Sequence, residues 1–518
     1  MTSTADSEKN RIYQTLLEEH ARDPQSYDAN VRLGLFLSGR KKLQMDALPY
    51  LAHALAHTFN HGHKDNNTAA VLDCFANLRL LRGEFEEAAG VYQTACKACP
   101  EVSDFSYRLG DALFRLGRLD EASATYQQVI AAQTEKARAN PRNEDGKVVR
   151  FLGPSKVIMR YFGEMAGRLD YFIKTRRLNP VDDEETILLA PTDEVVNPCL
   201  VDYFSEHLRI VSNADEIDDL LARYPNAWFD TNYLTIPDGR TLHRNIALSA
   251  VQAEWERRGL DAVLKLKPDH IARGRKRLAE AGVAEDAWFA CLHVRETGYF
   301  DEETSWSRNR YRNGRIKDYI PAIEAITAAG GWVIRIGDAS MTPLPPMERV
   351  IDYANSDDLK SDWMDIFLIG GGRFLFGSAS GPQGVAPAFG VPVLGTNYFP
   401  MGTVPPSRHD MAIHKLLRSK QNGRIIDIAS TVHAPRLLTM EPLYFENEGL
   451  EVVDNTADEI REAVIEMLAR LDGHITDTPE DSERQRDYLK RLDPCEVDLT
   501  VRISRFFLDS HPELFEDS

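Results

Sequence analysis

Residues 289–296, Phe-Ala-Cys-Leu-His-Val-Arg-Glu, decide how the rest of the chain is read. The run 289–294 is almost wholly apolar, too short for a helix, and breaks abruptly into Arg295 and Glu296. A short continuous apolar run of this kind is a strand covered on both faces, as in a parallel sheet. Moving outward, 316–329 has the pattern of a helix and stops at Gly330-Gly331, and Trp-Val-Ile-Arg-Ile at 332–336 is a second strand that ends on Gly337-Asp338. A strand at 350–353, a helix at 363–369 and a strand at 374–376 follow, the last running into Gly377-Ser-Ala-Ser-Gly381. A short helix at 383–389 and a strand at 391–396 complete this half, and the chain from about 456 reads as helical. Upstream, strands are expected at 156–162, 186–190 and 208–212, helices at 201–207, 215–222 and 244–258, and a helical bridge over 266–286. Strands alternating with helices of this length argue for parallel sheets joined by crossover helices.

The polar residues fall at corresponding places in that pattern. Arg295 and Glu296 follow one strand, Gly337 and Asp338 a second, Ser378, Ser380 and Gly381 a third, and Asn397 a fourth. Parallel strands bring their carboxyl ends to one edge of the sheet, and ligands bind there. The Gly377–Gly381 loop allows close backbone approach, offers two hydroxyls and leads into a helix N-terminus, a setting that suits an anion. It has neither the GK[ST] of a Walker A loop nor the spacing of a dinucleotide fingerprint. Arg295 is the sharper candidate, because a guanidinium at a strand end can bind a diphosphate in bidentate fashion. His293 alternates with Arg295 along the strand and can share its side. Asp182-Asp183-Glu184-Glu185 and Asp357-Asp358 read as solvated acidic turns rather than metal ligands.

The first 140 residues follow a different rule. LLRGEFEEAAGVYQTA around Gly83 returns 34 residues later as LFRLGRLDEASATYQQ around Gly117, pairing Ala88 with Ala122 and Tyr92 with Tyr126. An earlier, divergent copy has Arg32-Leu33-Gly34 where Arg108-Leu109-Gly110 stands. The period and residue types resemble the tetratricopeptide repeat: a glycine turn between two helices, small residues where they approach, and an aromatic expected to pack on the neighbouring repeat. A polar stretch at 139–146 reads as a linker.

The 518 residues carry a formal net charge of -19, with 43% hydrophobic and 27% charged residues. That balance argues against a nucleic-acid binder, which needs a basic face. The polar N-terminus reads as neither a signal peptide nor an anchor, no apolar run is long enough to span a membrane, and six scattered cysteines suit a reducing compartment. A cytoplasmic protein is expected.

Several motifs together resemble one family of bacterial glycosyltransferases, often encoded beside surface-polysaccharide or flagellar-modification genes. They are CLHVRETGY from Cys291, YRN at Tyr311, WVIRIGD at Trp332, IDYANS, SDWMDIFL around Trp363 and FGVPVLGTNYFP. The His-x-Arg element is further similar to that of α1,6- and protein-O-fucosyltransferases. The resemblance implies a pair of Rossmann-type domains across a cleft, the GT-B arrangement. They are expected at 147–270 on the acceptor side and 280–475 on the nucleotide-sugar side, between helical repeats at 1–140 and a helical tail at 476–518.

It implies sugar transfer from a nucleotide sugar to a glycan or protein hydroxyl without a metal or other cofactor, Arg295 contacting the diphosphate and Ser378 and Ser380 the nucleotide. It adds Arg312 and Asn313 after a loop that could close on the donor, and Lys360, Asp362 and Asp365 at the start of a helix. His293, Gly337, Asp338, Gly381 and Asn397 complete the expected donor site. Glu296 or Asp338 is expected to be the general base, a choice the sequence leaves open, with orienting Arg295 as the alternative role for either. The repeats suggest a docked protein acceptor, with homo-oligomerisation as a further use. A nucleotide-sugar epimerase or hydrolase on the same fold, and a non-catalytic adaptor, are the alternatives.

Overall fold

A computed structural model describes residues 4–40, 43–61, 65–153, 155–296, 310–356, 358–433 and 436–516. The chain forms two compact units, Met1–Val129 with Glu441–Glu448, and Ile130–Met440 with Gly449–Ser518. Among the described residues no helix is long and apolar enough to cross a membrane.

The first unit is built from antiparallel helices: α1 (Thr4–Arg22), α2 (Tyr27–Ser38), α3 (Leu48–His61), α4 (Thr68–Leu81), α5 (Phe85–Ala98), α6 (Asp104–Arg115) and the start of α7 (Leu119–Arg138). Gly83 and Gly117 turn the chain between paired helices at φ +80 and +74, which a side chain would oppose. Ala88 and Ala122 are fully buried. The repeat is legible in its hydrogen bonds: the Tyr92 hydroxyl donates to Asn77 at 3.2 Å and that of Tyr126, 34 residues on, to Asp111 at 2.8 Å. The aromatics differ from expectation in one respect. Tyr126 lies over Gly110 of its own helix pair, where a Cβ would overlap the ring. Tyr92 also meets Phe105 of the following pair, with ring centroids 6.5 Å apart. Gly34 against Leu51 repeats the close approach in the divergent copy, at 2.7 Å from a Cβ.

The second unit holds two parallel sheets. The first is β1 (Val148–Gly153), β2 (Glu184–Leu189), β3 (Arg209–Val211) and β4 (Trp228–Asp230), in the order β3-β2-β1-β4. Helices α8 (Ser155–Arg160), α9 (Phe162–Leu178), α10 (Pro198–Phe204) and α11 (Ala214–Arg223) form its crossovers. An antiparallel hairpin, β5 (Tyr233–Thr235) and β6 (Thr241–His243), leads into α12 (Arg244–Arg257), and α13 (Pro268–Glu280) lies in the expected bridge.

The second sheet contains β7 (Phe289–His293), β8 (Trp332–Arg335), β9 (Val350–Ile351), β10 (Leu375–Gly377), β11 (Val393–Tyr398), β12 (Met411–His414) and β15 (Arg502–Ile503). Its order is β15-β12-β11-β10-β7-β8-β9, all parallel. Helices α14 (Ile320–Ala328), α15 (Asp362–Gly371) and α16 (Pro382–Val385) connect it, and β13 (Leu416–Ser419) pairs antiparallel with β14 (Leu450–Val453). The winding runs outward from β7 to β8 and β9, then jumps to β10 on the other side. A crevice therefore opens at the carboxyl ends of β7 and β10.

Three expectations are corrected. The segment 156–162 is not a strand: it holds α8 and the start of α9, and the first strand is β1, a few residues earlier. Its central Arg150 disguises it, a charge 2% exposed that pairs with Glu184 at 3.4 Å and lies over the Phe229 ring at 5.0 Å. Glu184 and Glu185 are not part of an acidic turn but open β2, Glu184 bonded also to Arg176 at 2.6 Å and Glu185 to Arg209 at 3.0 Å. Asp357 lies outside the described residues. The stretch after 476 is not wholly helical, because β15 adds an edge strand to the second sheet.

Candidate active site

The crevice between β7 and β10 is built by one glycine. Gly377 ends β10 opposite His293 of β7, at φ +136, where any Cβ would collide with the His293 carbonyl. The approach lets the Ser378 amide donate to that carbonyl at 3.1 Å, and the Ser378 hydroxyl accept the Arg295 amide at 2.7 Å. Ser378 is thereby fully buried and fixes the backbone that carries Arg295.

Arg295 lines a cavity of about 400 Å³, within the size range of small-molecule sites. The structure brings His293, Arg295, Glu296, Arg312, Gly337, Asp338, Lys360, Asp362, Asp365, Ser380 and Gly381 around this single space. Asp362, Asp365 and Ile369 present one face of α15 to it, as their spacing dictates. Arg312 donates from Nε to the Ala379 carbonyl at 2.9 Å, and Lys360 from Nζ to the Gly337 carbonyl at 2.5 Å. Three of the candidates stand elsewhere. Ser378 acts through its backbone clamp. The Asn313 carbonyl accepts from Lys415 Nζ at 2.8 Å. Asn397, at φ +48, is locked to Asn455, each backbone amide donating to the other's side-chain Oδ1, at 2.5 and 2.7 Å. The residues after Glu296 in the CLHVRETGY motif lie outside the described residues.

The first-sheet half contributes residues that sequence reasoning does not find: Tyr161, Phe162, Gly163 and Glu164 at the start of α9 also line the cavity. A Cβ on Gly163 would fall within 3.0 Å of backbone atoms of Gly381, so the two halves meet here backbone to backbone. Asn197 caps α10 by accepting the Leu200 amide at 2.8 Å and donates across to the Asp362 carbonyl at 3.0 Å. The one local signal is a glycine just inside a helix start, and nothing in the sequence says what it meets.

The charges sort themselves. Glu296 accepts from the fully buried Arg335 at 2.9 Å and from the Thr342 amide at 2.9 Å, so it balances a core arginine. Burial works to raise the Glu164 carboxyl, but Arg244 at 2.7 Å and Arg168 at 2.7 Å hold it down at about 2. Burial pushes Asp365 up to about 6, eased by the Tyr353 hydroxyl and Lys360. Glu164 and Glu296 are thus taken up by arginines outside the lining, and Arg295, Arg312 and Lys360 face Asp338, Asp362 and Asp365 across the cavity. His293 is pushed down to about 3 by burial and then by Arg295, so its imidazole is neutral, and its buried Nδ1 has no partner among the described residues. Among the described residues there is no group of three or more His, Cys, Asp or Glu placed to hold a metal ion.

The raised Asp365 carboxyl has a measurable consequence. A carboxyl whose folded pKa lies above its unfolded value of 3.8 costs nothing at pH 3, where both states are protonated, and its full cost appears as pH rises through about 6. Asp365→Asn is therefore expected to match the wild type in stability near pH 3 and to exceed it by about 2 kcal/mol at pH 8, allowing for screening by the open cavity. Denaturant melts across that range check it; an advantage independent of pH would contradict it.

Comparison with solved structures finds loose likenesses. The E. coli ADP-heptose LPS heptosyltransferase II is 12% identical with a TM-score of 0.36, over 62% of this chain and 99% of that one. The iron-containing dodecameric glycosyltransferase TibC of enterotoxigenic E. coli H10407 is 13% identical with a TM-score of 0.34, over 63% and 76%. An O-GlcNAc transferase of Thermobaculum terrenum is 13% identical with a TM-score of 0.27, over 99% and 98%. A comparison with curated proteins finds no match. Residues 75–137 match the tetratricopeptide repeat family model, in agreement with the paired helices α4 to α7, so the chain carries tetratricopeptide repeats ahead of its two parallel α/β sheets.

Proposed function

We propose that the protein is a glycosyltransferase that takes its sugar from a nucleoside diphosphate sugar held in the crevice of the second sheet. One observation carries the reading: Arg295, Arg312 and Lys360 share one cavity with the Ser380-Gly381 turn at the point where the strand order reverses. Ile336 and Ile369 supply apolar wall for a nucleoside, and the three cations match a diphosphate. In the reaction the acceptor hydroxyl attacks the anomeric carbon. The bond from that carbon to the diphosphate oxygen breaks, and its electron pair leaves on the phosphate. Charge grows on that phosphate in the transition state, so a cation fixed beside it lowers the barrier as well as binding the donor. In this reading Arg295 and Lys360 do the work a metal ion does elsewhere.

The proton of the hydroxyl goes to a carboxylate. Glu296 is committed to Arg335, which favours Asp338, whose Oδ1 accepts the Ser340 amide at 2.9 Å and no buried cation among the described residues. The acceptor is a glycan or protein hydroxyl, and the tetratricopeptide repeats favour a protein docked by them.

On this reading one of ADP, GDP or UDP stabilises the protein by about 2.7 kcal/mol at a hundredfold excess over its Kd. Thermal melts with each nucleotide test it. If none of them moves the transition, the crevice is not a nucleotide site.

A further inference from the structure

The short segment that carries Arg312 across the sheet edge is held from three sides. Arg312 Nε donates to the Ala379 carbonyl at 2.9 Å, beyond β10, and the Gly314 amide donates to the Arg295 carbonyl at 2.9 Å, beyond β7. Between them the Asn313 carbonyl accepts from Lys415 Nζ at 2.8 Å. Lys415 follows β12, where its own amide donates to the Tyr398 carbonyl at 3.2 Å. The order β12-β11-β10-β7 thus ties the ends of β12, β10 and β7 to one tripeptide, 312–314. Gly314 makes the fit close, since a Cβ there would lie 3.2 Å from Val294 Cγ1.

Lys415 is 2% exposed, and taking an ammonium out of water is costly unless it is both paired and hydrogen-bonded. Asp454, its side chain 33% exposed, supplies the countercharge at 2.5 Å. An ion pair with a carboxylate so placed forms equally well at the surface and does not by itself call for a buried lysine. What the buried position adds is reach: the same ammonium continues to the backbone carbonyl of the residue after Arg312. Arg312 lines the crevice cavity and Lys415 does not, so Lys415 acts on a ligand there only through the segment it holds.

We propose that Lys415 is a positioning residue for Arg312: by fixing the Asn313 carbonyl it sets where the guanidinium enters the cavity. The ligand that Arg312 meets there rests on the nucleotide reading of the crevice. Residues that act through one another couple, whereas a residue that only stabilises the fold adds its effect to that of any other. A double-mutant cycle of Lys415→Met and Arg312→Ala, titrated calorimetrically with ADP, GDP and UDP, tells the two roles apart. Hydrogen exchange at the Gly314 amide reports on the same segment with no ligand present.

Lys415→Met is expected to weaken nucleotide binding about tenfold when Arg312 is present and less than about twofold in the Arg312→Ala background, and to speed exchange at Gly314 about tenfold. Asp454→Asn removes the countercharge and keeps the Asn313 bond. It is expected to lower the melting temperature while affinity and exchange at Gly314 stay as in the wild type. Should Lys415→Met not fold, Lys415→Gln takes its place, since the shorter side chain keeps a donor toward Asp454 but stops short of the Asn313 carbonyl. Equal losses in both backgrounds, an unchanged affinity, or a Gly314 amide that exchanges as in the wild type overturn the proposal. A wild type that binds none of the three nucleotides, with exchange at Gly314 still faster in the lysine variant, would instead remove the nucleotide reading and leave Lys415 as the residue that holds Arg312 in place.

Discussion

Arg295→Ala is expected to abolish the stabilisation by nucleoside diphosphate and to lower kcat by about 10²–10³-fold, the cost of removing one preorganised charge-stabilising group from a transition state. The effect originates at β10. Gly377 brings Ser378 to β7, and Ser378 holds the Arg295 amide at 2.7 Å, so the guanidinium extends from a backbone fixed by two neighbouring strands. A charge-assisted hydrogen bond is worth about 1.5–3 kcal/mol, so removing a bidentate guanidinium weakens diphosphate binding by about two to four orders of magnitude. Arg295→Lys keeps the charge but not the planar fork, and is expected to recover part of the binding and less of the rate. Titration of the stabilising nucleotide into each variant separates the effects. An alanine variant that binds it as the wild type does would remove Arg295 from the site.

The elements that the sequence discloses are those whose partners are supplied by the fold as a whole. β7, β8 and β10 are covered on both faces, so each is a continuous apolar run that needs no knowledge of its neighbours. Their polar successors can be placed on one edge because parallel strands share a direction. β1 is not legible, since Arg150 at its centre is explained by partners far along the chain: the Thr134 hydroxyl, Glu184 and the Phe229 ring. Asn397 shows the opposite error. The apolar pattern puts it beyond the end of a strand, but β11 continues to Tyr398 through an irregular register, and the positive φ turns Asn397 to Asn455 rather than to the cavity. Glu296 is legible as a carboxylate at the right edge. Its commitment to Arg335 is hidden, because an arginine inside the apolar run 332–336 gives no sign of which acid balances it. The contribution of α9 is beyond reach for a different reason: it exists only because two sheets distant in sequence approach each other.

That approach sets the second large effect, Gly163→Ala. A methyl at position 163 would overlap the Cα, carbonyl carbon and carbonyl oxygen of Gly381, and backbone cannot swing aside as a side chain end can. Either α9 withdraws from the 381–384 turn or the turn withdraws from β10, and the cavity loses a wall, because Gly163 lines it. Overpacking of this kind costs about 1–3 kcal/mol of stability. The functional loss is expected to be larger, since displacement of about 1 Å in a catalytic constellation costs about a hundredfold in rate. The geometry is asymmetric, which makes the prediction sharp. A Cβ built on Gly381 meets its nearest neighbour, the Gly163 amide nitrogen, at 3.4 Å, and Gly381 has ordinary helical angles, φ -53 and ψ -50. Gly381→Ala is therefore expected to fold and bind nucleotide nearly as the wild type does. Gly384→Ala, whose Cβ would lie 2.7 Å from the Gly163 carbonyl oxygen, is expected to behave like Gly163→Ala. Melting and nucleotide titration of the three variants together decide the matter: equal losses at 163 and 381 would mean that the two halves do not meet through these glycines in solution, and the cleft would have to be wider than the one described.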